Sequence, residues 1–236
     1  MPVRAYVFDM FSMTPRFLPP RFLGLVVSML MALGASSAHA VTCTPPDYAG
    51  VKVRLLDPQA KLMTSKNLKQ INSKAQAHGL LKHGSLVLGL TQSQVETSMN
   101  MRFSGYTQGG VTCLNLARVD VRFGHSGLTV QLPSEYARGT CQYNTVLKHE
   151  MEHVRVNREG VRKYALILKR ELDRAVVRLN PMQVKSLEKG QMKMKRAMEK
   201  VLASVTARFT KEINAKHAII DKPGGPYDAS GACRKW

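Results

Sequence analysis

Between residues 111 and 132 apolar and polar positions alternate. Val111, Cys113, Ala117, Val119, Val121 and Phe123 take odd positions, Arg118, Asp120 and Arg122 lie between them, and Leu128, Val130 and Leu132 resume the pattern after Gly124-His125-Ser126-Gly127. A period of two marks strands buried on one face, and the glycine-bounded tetrapeptide predicts a turn, so the segment reads as a hairpin. From residue 145 the period changes. Leu147, Met151, Val154, Val161, Ala165, Leu168 and Leu172 recur at three, four and seven, which predicts one helix over about 145–179, with Asn144 or Thr145 as N-cap and Asn180-Pro181 as its end. Val184, Leu187, Met194, Met198, Val201, Val205 and Phe209 repeat the spacing, predicting a second helix folded back on the first.

Upstream the pattern is weaker. Residues 51–56 predict a short strand punctuated by Asp57-Pro58, 66–77 a helix ending near Gly79, and 85–90 another strand, while 95–103 fits either a strand or a weak helix. The expected fold is therefore α+β: a small antiparallel sheet, then a long helix, then an antiparallel helical hairpin. Residues 41–143 form its β-rich part, 144–221 its helical part and 222–236 a tail pinned by Cys233. Residues 1–40 stand apart. Arg16 and Arg21 precede an apolar run at 22–35, and Ala38-His39-Ala40 follows, the three parts of a secretory signal peptide. That run is short for a membrane span, so no transmembrane anchor is expected after its removal, and the mature chain would be periplasmic or secreted.

The first predicted helix carries the chain's sharpest pattern, His149-Glu150-Met151-Glu152-His153. Residues four apart share a helix face, so the two imidazoles can hold one Zn²⁺, while the Glu150 carboxylate stands beside the ion outside the ligand set. Zinc acidifies water enough for a carboxylate to deprotonate it, which suits attack on a carbonyl. With seven histidines in 236 residues, the pattern is expected by chance about 0.01 times in such a chain.

In this motif, and over roughly residues 111–155, the chain resembles the zincin-type (HExxH) zinc metallopeptidases, among them small bacterial secreted zinc-dependent proteases. The resemblance implies an exported peptidase with Zn²⁺ as cofactor, a peptide or protein substrate, and a strand just before the histidine helix that holds an extended substrate by main-chain pairing. Two features depart from the family pattern, the charged Glu152 and Arg155. Glu152 also lets the motif be read inverted, with Glu152 as the base.

A catalytic zinc needs a third protein ligand. Glu171 and Glu212 are the leading candidates and Glu159 follows. Glu171 requires the helix to turn near 157–160. Glu212 falls opposite His149 if the hairpin folds tightly about 180–181. His125, in the expected turn, is a weak candidate, and Glu135, Tyr136 and Tyr143 are placed to wall the site.

Charge and cysteines widen the picture. Without residues 1–40, 32 basic residues face 15 acidic ones, a net charge of +17, which attracts polyanions such as anionic envelope polymers. The few aromatic residues offer no stacking platform, so no specific nucleic-acid partner is expected. The alternative to a peptidase is a non-enzymatic basic envelope protein that binds anionic polymers or a partner through its helical hairpin. Four cysteines in an exported chain predict two disulfides, expected as Cys113 with Cys141 and Cys43 with Cys233.

Overall fold

The computed structural model describes residues 43, 50–81, 86–108, 110–234 and 236. The leader read at 1–40 and the first residue of the strand expected at 85–90 lie outside the described residues. Eight elements follow in order: β1 (Val51–Leu56), β2 (Lys61–Lys66), α1 (Leu68–Ala77), β3 (Leu90–Gln108), β4 (Val111–Pro133), α2 (Cys141–Leu179), β5 (Met182–Val184) and α3 (Leu187–Ile220).

The spine is β4, 23 residues of unbroken strand. The predicted turn at 124–127 does not interrupt it. Gly127 pairs with Gln94 and His125 with Val95, so Ser126 is the extra residue of a bulge, and Ala117 is a second one between the Arg118–Arg102 and Leu116–Phe103 pairs. Bulges let the strand bend while the alternation of faces resumes in phase. The segment at 95–103, ambiguous in the sequence, is part of β3, which runs antiparallel along one edge of β4 for its whole length.

Three short strands occupy the other edge end to end. β5 pairs antiparallel with Thr112–Leu114, β1 parallel with Val119–Gly124, and β2 parallel with the stretch from Thr129 to Pro133. The register is the same where β1 and β2 begin, Val51 opposite Val119 and Lys61 opposite Thr129. They are in effect one strand interrupted at Asp57-Pro58, where proline cannot donate to the ladder.

The expected α+β fold with an antiparallel sheet is therefore overturned: the five-stranded sheet has β1 and β2 parallel to its central strand, an α/β arrangement. Alternation reports which face a side chain takes and is blind to strand direction.

Both long helices cover the sheet. Thr140, one turn earlier than expected, caps α2 by accepting from the Tyr143 N–H. Phe123 of the sheet, Leu168 and Leu172 of α2, and Met194, Met198, Phe209 and Ile213 of α3 form a core in which each of these side chains is fully buried. Gly160 permits the close crossing, because a Cβ there would run into the Ile213 side chain. The predicted stripe is buried from Val154 to Leu172 and half-buried at Leu147, and it fails at Met151, which is 45% exposed.

The disulfides exchange the expected partners, joining Cys43 to Cys113 and Cys141 to Cys233. Cys113 stands near the start of β4 and Cys141 beyond its end, 20 extended residues or about 65 Å of strand away, far outside bridging distance.

Gly124 tests this architecture. Its φ of +144° is rare for other residues, and a Cβ there would strike the backbone of Leu56, its partner on β1. Gly124→Ala should lower unfolding stability by about 2–4 kcal/mol, read from the denaturant midpoint. An unchanged midpoint would contradict the parallel β1–β4 pairing.

Candidate metal centre

From its third turn to its fifth, α2 buries polar side chains. His149, Glu150, His153 and Asn157 are each at most 3% exposed. Such burial requires partners, and α3 supplies most of them. On α3, Phe209, Ile213, His217 and Asp221 continue at intervals of four, so its buried stripe becomes polar where it reaches the histidines. Asp221 is the C-cap, its N–H donating to the His217 carbonyl.

There the Asp221 carboxylate joins the pair. His153 Nε2 lies 3.2 Å from His149 Nε2 and 3.1 Å from Asp221 Oδ1, and His149 Nε2 lies 3.4 Å from the same oxygen. Ligand bonds of about 2.0–2.1 Å at tetrahedral angles separate ligand atoms by about 3.3 Å, so this triangle has the dimensions of one face of a zinc tetrahedron. Asp221 Oδ2 is buried with no hydrogen-bond partner, an unmet acceptor on the same carboxylate. The three residues are a buried group that could hold a metal ion.

Hydrogen bonds behind the triangle orient it. His149 Nδ1–H donates to the Tyr227 carbonyl at 2.8 Å, which turns Nε2 towards the cluster. On the other imidazole, His153 Nδ1 meets His217 Nδ1 at 3.0 Å, and His217 Nε2 lies 3.3 Å from Asn157 Oδ1. With an ion in place, the consistent tautomers would have His217 donating to Asn157 and accepting from His153, so that the His153 Nε2 lone pair faces the ion. Burial first, then the neighbouring imidazoles, holds the His217 pKa far below its ordinary value, so it stays neutral.

Electrostatically the site is built for a cation. Burial opposes a charge on His149, but the Asp221 hydrogen bond, with help from Glu150, the Tyr227 carbonyl and the Asp221 charge, lifts its pKa to about 9. Burial likewise raises Asp221, and hydrogen bonds from both histidines outweigh it, leaving the carboxyl below its ordinary value. Without metal, then, a proton on His149 takes the place of the ion.

Glu150 stays outside the triangle. Its Oε2 accepts from Thr91 Oγ1 at 2.6 Å, and Gly89 packs so closely that a Cβ there would sit 2.8 Å from Oε1. The start of β3 thus holds this carboxylate in place.

The other predicted site residues are elsewhere. Glu212 is bound by Lys163, Lys216 and Tyr164, Glu171 faces Arg208, and Glu159 and Glu152 flank Arg155. None joins the cluster, so Glu171 and Glu212 are corrected in favour of Asp221 as the carboxylate beside the histidines. The tight turn assumed at 180–181 placed Glu212 opposite His149. The connection runs on through β5, which shifts α3 along and sets Glu212 against Tyr164 and His217 against His153. Nor does α2 turn near 157–160, as Glu171 required.

His125 lies buried in β4, its Nε2 against the Asn157 carbonyl. Glu135 accepts from the Leu68 N–H at the start of α1, Tyr136 packs against Trp236, and Tyr143 is in the core, so none walls the site. The strand before the helix, β4, has both edges occupied where it nears the helix, so main-chain pairing with a substrate is not available there.

The tail is part of the site. Cys233 ties it to the first residue of α2, and the Asp228 carboxylate accepts from the Gly224 and Ser230 N–H groups, folding it so that Tyr227 reaches His149.

No protein-family model, curated protein or solved structure matches the chain. The geometry alone carries the functional reading.

The pKa directions set a pH test. The stabilisation from His149 is complete below its ordinary 6.5 and fades as pH rises through about 9, whereas that from Asp221 is present above 3.8 and lost as pH falls below it. The metal-free protein should be most stable between these values and lose melting temperature from pH 6.5 to 9. Bound zinc displaces the His149 proton, so zinc affinity should rise about tenfold per pH unit over this range and the zinc-loaded protein should escape the loss. Calorimetry with and without chelator reads both; a flat melting temperature in chelator would refute the protonated pair.

Proposed function

We propose that the chain is an exported zinc-dependent peptidase whose metal is held by His149, His153 and Asp221 and whose base is Glu150. The observation that carries the reading is the triangle of ligand atoms, 3.1–3.4 Å on a side, with a fixed carboxylate next to it and outside it. Two imidazoles and one carboxylate suit zinc, whereas calcium and magnesium favour all-oxygen sets. Bound zinc supplies Lewis acidity, which polarises a carbonyl and makes water easier to deprotonate.

The rest falls to the chain. Glu150 takes the proton of the attacking water on its carboxylate and returns it to the departing amine, and Thr91 fixes the direction of that carboxylate. Tyr227 and His217 hold the two imidazoles so that both Nε2 atoms face Asp221 Oδ1, where they would hold the ion. Among the described residues β3 pairs only with β4, so its outer edge, which starts beside Glu150, is where an extended peptide would align. The site residues are 1–3% exposed, so substrate access requires the tail beyond Asp221 to lift. Two disulfides fit an oxidising compartment, and with the leader read at 1–40 they support a periplasmic or secreted location.

The same burial favours one second reading, a purely structural metal in a non-enzymatic protein. Glu150 separates them. Glu150→Gln should keep one zinc per chain by elemental analysis and lose peptide hydrolysis by about 10²–10⁴-fold, while Asp221→Ala should lose the zinc. Full hydrolysis by the zinc-loaded Gln variant would remove Glu150 from the mechanism. A wild-type protein that is stabilised by zinc but cleaves no member of a peptide library would leave the structural reading.

A further inference from the structure

The connection between α2 and α3 carries a second surface, remote from the metal centre. On α2, Leu166 and Val177 are 73% and 74% exposed. Arg170 and Arg174 lie exposed between them and Arg178 follows, at spacings of three and four that put all five on the side opposite the buried Leu168, Leu172 and Ala175. On α3, Lys189, Lys193, Arg196 and Lys200 recur at four, three and four around the half-exposed Met192, opposite the fully buried Met194 and Met198.

None of these seven cations has a carboxylate within 4.0 Å among the described residues, whereas Lys163, Lys169, Lys195 and Arg208 on the same helices are paired.

We propose that this outer face of the helical hairpin docks on an anionic lipid bilayer, lying flat against it. Unpaired cations repel one another and gain from a surface of phosphate charge. The aliphatic side chains choose among polyanions. A hydrated polyphosphate or nucleic acid has no use for exposed leucine and valine, and the face has no aromatic ring on which a base could stack. At a bilayer, Leu166, Val177 and Met192 enter the boundary between headgroups and acyl chains while the arginine and lysine stems reach up to the phosphates. The apolar contribution is small, so binding is reversible and depends on anionic lipid. The docking does not rest on the metal or on hydrolysis.

Flotation with vesicles tests it, using the full chain and the chain from residue 41, which holds every described residue and lacks the apolar run at 22–35. Both should bind vesicles of phosphatidylcholine with one third phosphatidylglycerol, and the shorter chain should not bind phosphatidylcholine alone. Arg170→Glu/Arg174→Glu/Arg178→Glu should lower the partition coefficient at least about tenfold. Leu166→Ser/Val177→Ser, on exposed positions where folding is not at risk, should weaken vesicle binding and leave retention on immobilised polyphosphate unchanged. Equal loss on both matrices, no loss on vesicles, or equal binding to neutral vesicles would each overturn the proposal; circular dichroism confirms that the variants are folded.

Discussion

Two imidazole nitrogens and a carboxylate oxygen, buried within 3.4 Å of one another, require a positive charge among them. The lone pairs of His149 and His153 repel at that distance, and Asp221 cannot stay ionised in the interior without a cation. Every nearby element answers this constraint. Between His149 and Asn157 α2 gives its buried side to polar groups, α3 ends where its cap can deliver Asp221, and the disulfide-tied tail brings the Tyr227 carbonyl to His149. A proton on His149 meets the requirement, and the same three atoms could hold a metal ion instead, which would couple folding, pH and metal at one place.

The scaffold makes such a cluster possible by length. A 23-residue strand and helices of 39 and 34 residues hold their ends in fixed relation, so that Asp221 Oδ1 arrives 3.1 Å and 3.4 Å from the two imidazole nitrogens. Gly160 sets how closely the helices cross, and the ring contacts of Phe209 with Phe123 and Tyr164 lock the hairpin to the sheet. The bulges at Ala117 and Ser126 let one strand run the length of the molecule while keeping its apolar side inward.

Charge is distributed with equal consequence. Near the metal centre cations are paired: Asp57, held low by Arg158 and Arg162 against its burial, pins the β1–β2 break to α2, and Glu212 collects Lys163 and Lys216. Towards the connection between the helices, Lys169 and Lys195 keep their carboxylates, but the seven cations of the outer face have none within 4.0 Å among the described residues and stand beside exposed aliphatics. One end of the helical hairpin is built around a buried negative group and the other around an unneutralised positive face.

The sequence by itself determined the local features. His149, Glu150 and His153 were legible because spacing on a single helix sets which side chains are neighbours, and the helix lengths followed from a long unbroken period. What it could not determine depended on distant segments meeting. Asp221 lies 68 residues past His153 and owes its place to the β5 detour, which no local period records. The parallel pairing of β1 and β2 and the disulfide partners were likewise settled only in three dimensions, because alternation encodes a face and not a direction, and a cysteine does not name its mate. The tertiary structure alone decided that the histidines are buried under a tied tail, since burial is a property of what packs on a residue from elsewhere in the chain.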